Sequence, residues 1–113
     1  MTTKPIPSEH LEQVRLVSWF RRTYPTIRIF AIPNGGVRSA SAGASLKAEG
    51  ATAGVPDLFV PEWRLWVEMK RTEGGTVSAV QKDWIAYLQG INHKVIVGYG
   101  CEDAKAKILA WQE

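Results

Sequence analysis

The sequence predicts an α/β domain: one mixed β-sheet flanked by helices, with a core order α-β-β-β-α-β. Three observations carry that prediction. Apolar runs such as Ile29-Phe30-Ala31-Ile32 and Val95-Ile96-Val97 are strand-length and partly β-branched; longer stretches between them have helical spacing; and turn or capping residues stand at nearly every boundary.

Taken in order, Pro5 and Pro7 keep the first residues extended, and Ser8 is placed to cap a helix from Glu9 to about Arg22, with Glu9 bringing negative charge into its first turn. Helical spacing puts Glu9, Gln13, Leu16 and Phe20 on one stripe with Val17 alongside, leaves Glu12 flanking it, and sends Arg15 and Arg22 to the opposite side. Tyr24-Pro25 ends the helix, because a residue before proline avoids the helical region, and residues 27–32 read as a strand closed by Pro33-Asn34-Gly35-Gly36. An Ala, Ser and Gly-rich stretch follows, with a short helix expected over residues 44–49 and Gly50 as its cap. Gly54-Val55-Pro56-Asp57 leads into a strand at residues 58–60, and Pro61-Glu62-Trp63-Arg64 turns the chain back into a second strand at residues 65–70, making a hairpin. Ser78 caps a third helix over residues 79–89 that Gly90 closes; residues 94–97 form a last strand and residues 102–111 a final amphipathic helix. There are no repeats, low-complexity segments or linkers, so residues 1–113 are expected to form a single domain.

Composition narrows the function. Of 113 residues, 45% are hydrophobic and 22% charged, which supplies a core and argues against disorder. No apolar run approaches the roughly 20 residues that cross a bilayer, and the first residues lack a secretion signal, so a soluble cytoplasmic protein with no membrane partner is expected. The lone Cys101 can form no internal disulfide, and with only His10 and His93 beside it a Cys/His zinc centre is disfavoured. A net charge of +3, with basic residues spread from Arg15, Arg21 and Arg22 through Arg38, Lys47, Lys70 and Arg71 to Lys82 and Lys94, fits a polyanionic partner.

The chemistry gathers on the hairpin. Period-two geometry places Glu68 and Lys70 on one face of a strand, roughly 7 Å apart along it, while Val67 and Met69 point to the other. Asp57 begins the paired strand, where a hairpin of this length brings its carboxylate beside that of Glu68. Two such groups repel unless a cation lies between them, and a hard divalent ion such as Mg²⁺ takes one or two carboxylates plus water and substrate phosphate. The backbone carbonyl of Met69 can add an oxygen, and Lys70 can stabilise or help deprotonate a water aimed at phosphorus. Glu9, on the inner stripe of the first helix, fits as a third acid, binding the ion through water or accepting a second one. Gln81, in the first turn of the third helix, can hydrogen-bond the scissile phosphate or the attacking water, and Asn34 can line the same cleft.

The run Gly54-Val55-Pro56-Asp57, then Val67-Glu68-Met69-Lys70, then Ser78 with Gln81, resembles the VRR-NUC family, a branch of the PD-(D/E)XK nucleases. The likeness extends from Glu9 and Gln13 through Pro33-Asn34-Gly35-Gly36 and Leu46-Lys47-Ala48-Glu49-Gly50 to Tyr99-Gly100. The resemblance implies a restriction-endonuclease-like mixed sheet and a Mg²⁺- or Mn²⁺-dependent DNA endonuclease. It is similar to stand-alone phage and bacterial members, in a bacterial host cell if phage-encoded. Those members imply a homodimer selective for branched DNA, Holliday junctions among them, in replication, repair or recombination. Residue by residue, it makes Asp57 and Glu68 metal ligands, Lys70 the catalytic lysine, Gln81 a site residue and Glu9 the helix-one acid, with Glu12 as the alternative for that last role.

Each feature also has a plainer explanation. Pro-Asp often starts a strand, Glu-x-Lys is often solvated charge pairing, Gln81 can be an exposed helix residue, and a first-turn Glu9 complements the helix dipole in any case. Gly35-Gly36 reads as a tight turn. Among five tryptophans, Trp84 and Trp111 sit at core-like helical positions, whereas Trp66, sharing the face of Glu68, and Trp63, at the hairpin tip, are candidates for stacking on a splayed base or for a dimer contact.

Overall fold

A computed structural model describes residues 5–33 and 40–112. Asn34, Gly35, Gly36 and Arg38 therefore lie outside the described residues. The first helix, α1 (Glu9–Thr23), starts as its sequence dictates: Ser8 is extended, and its hydroxyl accepts the Leu11 N–H at 3.1 Å. It stops at Tyr24, whose N–H still reaches the Phe20 carbonyl before Pro25 prevents another turn.

Strand β1 is shorter than the apolar run predicts. Only Phe30–Ala31 joins the ladder, pairing with Phe59 and Leu58 of its neighbour β2 (Leu58–Val60). A further bond from the Ile32 N–H to the Asp57 carbonyl continues the contact past the strand end. Helix α2 (Ala40–Ala48) begins earlier and stops one residue sooner than residues 44–49, and Gly50 beyond its end has φ 106°, a left-handed value expected of a glycine that closes a helix. A 3₁₀ turn at Pro61–Trp63 and a left-handed Arg64 reverse the chain into β3 (Leu65–Lys70). Helix α3 (Ala79–Gly90) then crosses to β4 (Lys94–Tyr99), and α4 (Cys101–Gln112) closes the order. The left-handed residue after α3 is Asn92, not Gly90, so the helix runs one residue past the expected stop and the chain turns in the following residues.

The sheet order is β1-β2-β3-β4. The first two pairings are antiparallel and β3 with β4 is parallel, which requires a crossover connection that α3 supplies. One face carries Leu58, Val60, Leu65, Val67, Met69 and Ile96 into the core against Leu16 and Phe20 of α1 and Ala104 and Ile108 of α4. Trp63 belongs to this side. Its ring packs at 4.9 to 5.4 Å from Tyr24, Phe20 and Trp111, so its place at the hairpin tip does not make it a stacking surface. Trp111 joins the same cluster as expected, whereas Trp84 lies half-buried on α3 against Tyr87, outside the core.

The stripe on α1 needs a correction. The buried line is Glu12, Leu16 and Phe20, and Glu12 is only 6% exposed. Residues three and four from Glu9 both fall near its line, and the turn between β4 and α4 decides which one is covered. Gly100 there has φ 90° and no Cβ, leaving room for the Glu12 carboxylate, whose Oε2 accepts a 3.4 Å bond from the Thr72 hydroxyl.

Candidate active site

The opposite face of β3 is polar, yet buried. Glu68 is 1% exposed and Lys70 and Asp57 are each 9% exposed. Asp57 reaches the centre because the turn before β2 is fixed at both ends. Gly54, with φ 92°, rests so closely on α3 that a Cβ there would meet Val80 Cγ1 at 2.3 Å and the Val80 carbonyl oxygen at 3.0 Å. Beyond Pro56, Asp57 Oδ2 accepts the Met69 N–H at 2.7 Å, tying the acid to the strand that carries Glu68.

Gln81 joins the same centre from α3. Its Oε1 accepts the Ser78 N–H at 2.9 Å while Ser78 Oγ accepts the Gln81 N–H at 3.2 Å, a reciprocal cap. Its Nε2 then donates to Glu68 Oε1 at 2.8 Å. A residue expected to face substrate therefore also fixes the glutamate and the helix start. Lys70 Nζ stands 3.9 Å from the same Glu68 oxygen, near enough for charge pairing but not for a hydrogen bond.

The other oxygen, Glu68 Oε2, is buried and lacks a hydrogen-bond donor among the described residues. Asp57 is its acidic neighbour. Two ionised carboxylates have no proton to donate, so this contact is satisfied only by a shared proton or a cation. Burial first, then the Asp57 charge, push the Glu68 carboxyl up to about 8; Lys70 opposes that rise and Glu9 adds to it. Glu9 is raised from the ordinary range as well, by burial and then by Asp57, against the pull of Lys70. The two helix-one acids thus part company: Glu9 feels the centre, and Glu12 is engaged with Thr72 and Gly100.

Among the described residues, no three Asp, Glu, His or Cys side chains gather closely enough to hold an ion by themselves. Two carboxylates backed by solvent and phosphate oxygens suit Mg²⁺ or Mn²⁺, which keep several non-protein ligands. The donorless Oε2 facing a second acid is what such an ion would satisfy, so the residues present fit one. A groove of about 560 Å³ along the outer side of α1, lined by His10, Gln13, Val14 and Arg21 among others, holds none of these acids. No helix among the described residues is long and apolar enough to cross a membrane.

No protein-family model and no curated protein matches the sequence. A search of solved structures does find a match: a VRR_NUC domain protein superposes with a TM-score of 0.73 over 93% of this chain and 88% of its own, at 22% identity. The chain has the VRR-NUC fold. At that identity the agreement is one of architecture, and the mixed sheet with flanking helices is the shared part. Within this VRR-NUC fold Asp57, Glu68, Lys70 and Gln81 converge as the sequence analysis expects, with Glu9 at their margin. What the sequence missed is the dual engagement of Gln81 and the burial of Glu12. The Ser78-x-x-Gln81 spacing was the available signal for the first.

Proposed function

We propose that this protein is a VRR-NUC nuclease of the PD-(D/E)XK type that hydrolyses DNA phosphodiester bonds with Mg²⁺ or Mn²⁺. The observation that carries the reading is the buried Asp57 and Glu68 pair, with one carboxylate oxygen lacking a donor and Lys70 alongside. Burying like charges is costly, and a stable fold tolerates it where a ligand completes the site.

Asp57 and Glu68 would hold the ion, with the Met69 backbone carbonyl as a further oxygen and Glu9 acting through water. When bound, the ion supplies Lewis-acid polarisation of a phosphate and lowers the pKa of water. Gln81 orients Glu68 through its 2.8 Å bond, so that the carboxylate keeps its aim. Lys70 places a positive charge where negative charge builds on the transferring phosphoryl group, or receives a proton from the attacking water. Substrate DNA lies over this face with basic residues along its backbone. The whole chain acts as one domain, pairs as a symmetric homodimer and prefers branched or junction DNA in replication, repair or recombination.

Incubating the protein with linear duplex, flap, fork and four-way-junction DNA, in Mg²⁺, in Mn²⁺ and in chelator, tests this directly. Cleavage with either ion that vanishes in chelator and in Asp57→Asn is the expected outcome. DNA binding without cleavage of any substrate would replace the enzyme with a binding module. Titration calorimetry that finds no Mn²⁺ site would remove both the ion and the mechanism.

A further inference from the structure

The site face of the sheet does not end at the acids. Phe30, Phe59 and Trp66 are direct partners on three neighbouring strands, so their side chains form one row across the sheet. The Phe30 and Phe59 rings meet edge to face at 5.9 Å, and Phe59 and Trp66 at 4.2 Å with a 34° tilt. Phe59 lies two residues after Asp57 and Trp66 two before Glu68, which puts the row on the face of the acids at about 7 Å along each strand. None of the three belongs to the core cluster: Phe30 is 45% exposed, and Phe59 and Trp66 are half-buried.

Two details make the row a built surface. The Trp66 indole N–H donates to His93 Nδ1 at 2.8 Å, and the His93 ring lies nearly parallel to Phe59, so the indole plane is fixed in advance. At the open end, Phe30 borders a groove of about 460 Å³ that it shares with Arg21 and Arg28. Arg21 is held by a 3.3 Å bond to the Ile29 carbonyl, and Arg28 is exposed. Flat rings bordered by guanidinium groups match the two parts of a nucleotide, a base with a π-face and an anionic backbone.

We propose that this row is a stacking platform for unpaired bases next to the scissile phosphate, so that the site selects strands at the boundary between duplex and single-stranded DNA. The proposal rests on the nuclease reading for the phosphate and adds the substrate feature that is recognised. Bases inside an intact duplex have both faces covered by neighbours, whereas a flap or fork presents bare faces. Phe30, the most open ring, is the first contact.

Binding of labelled oligothymidylate and of blunt duplex, followed by fluorescence anisotropy in chelator so that nothing is cut, tests the platform. Phe30→Leu keeps apolar bulk but loses the ring, and should weaken oligothymidylate binding by about 5- to 150-fold, with duplex binding within about twofold. Phe30→Trp should restore single-strand binding. The proposal is overturned if the wild type does not bind oligothymidylate, if Phe30→Leu leaves that binding unchanged, or if both DNAs are lost equally. It is also overturned if Phe30→Leu spares DNA binding but shifts the sedimentation of the protein with concentration, which would give the row to a second copy of the chain. Cleavage assays separate the two ideas. Ring-dependent single-strand binding with no cleavage in Mg²⁺ or Mn²⁺ keeps the platform and removes the nuclease, whereas cleavage with ring-independent binding does the reverse.

Discussion

The two faces of β3 are chemically opposite, although Glu68 on one is almost as buried as Leu65, Val67 and Met69 on the other. Leu65, Val67 and Met69 enter a core that closes on itself, each apolar group meeting another. Glu68 and Lys70, one residue out of phase, enter a second interior that does not close, since an acidic neighbour and an oxygen without a donor remain. Hydrophobic burial is satisfied within the chain, and charge burial of this kind is completed from outside. The first face should therefore answer to stability measurements and the second to activity measurements.

The largest effect tests that separation on the polar side. Glu68→Gln removes a carboxylate that would hold the ion while preserving a partner for Gln81, and should lower single-turnover cleavage by at least about 1000-fold, equivalent to about 4 kcal/mol. Its melting temperature in chelator should be unchanged or higher. A variant that loses melting temperature along with activity would mean that the polar face is also a structural element. The matching change on the other side, Leu65→Ala, should cost about 2–5 kcal/mol in denaturant unfolding and leave cleavage per folded molecule intact.

Gly54→Ala sharpens the comparison because it lies between the two. A side chain there is strained at φ 92° and collides with Val80, so a loss of about 1–3 kcal/mol is expected. Since Gly54 also seats the turn bearing Asp57, cleavage should fall with it. Loss of stability without loss of cleavage would show that Asp57 is aimed by the Met69 bond alone.

The last effect is one of pH. Glu68 keeps its proton up to about 8 in the folded metal-free protein and would release it near 4.5 when unfolded. Between those values the folded state binds more protons, so stability is fully present below about 4.5 and is lost as pH rises through about 8. Calorimetry in chelator should show the melting temperature falling as the pH is raised from 5 to 8. Saturating Mn²⁺ should flatten that slope by displacing the proton, and Glu68→Gln should abolish it.

Much of this was legible in the sequence because the signals were local. Ser8 and Ser78 announce helix starts, the 3₁₀ turn at residues 61–63 is written in Pro61, and the period of two in residues 65–70 separates Glu68 from Met69. What was not legible depends on distant partners. Strand β1 pairs through only two residues with β2, more than twenty residues on, and the apolar run at residues 27–32 contains nothing that reports where that pairing stops. The wheel puts Gln13 on the inner stripe and Glu12 beside it, and a glycine at the far end of the chain, Gly100, makes room for Glu12 instead. The role of Gln81 was half visible: its cap is local, but its bond to Glu68 depends on the parallel crossover that brings α3 over the site face.

That crossover has a consequence for how such a centre can be inherited. Asp57, Glu68, Lys70 and Gln81 are collected within residues 57–81, less than a quarter of the chain, and among the described residues Glu9 joins them from elsewhere. A short coding segment thus carries almost all of the candidate site's side chains, while the core that seats them is built from residues on both sides of that segment, so the segment is inherited intact only together with its scaffold.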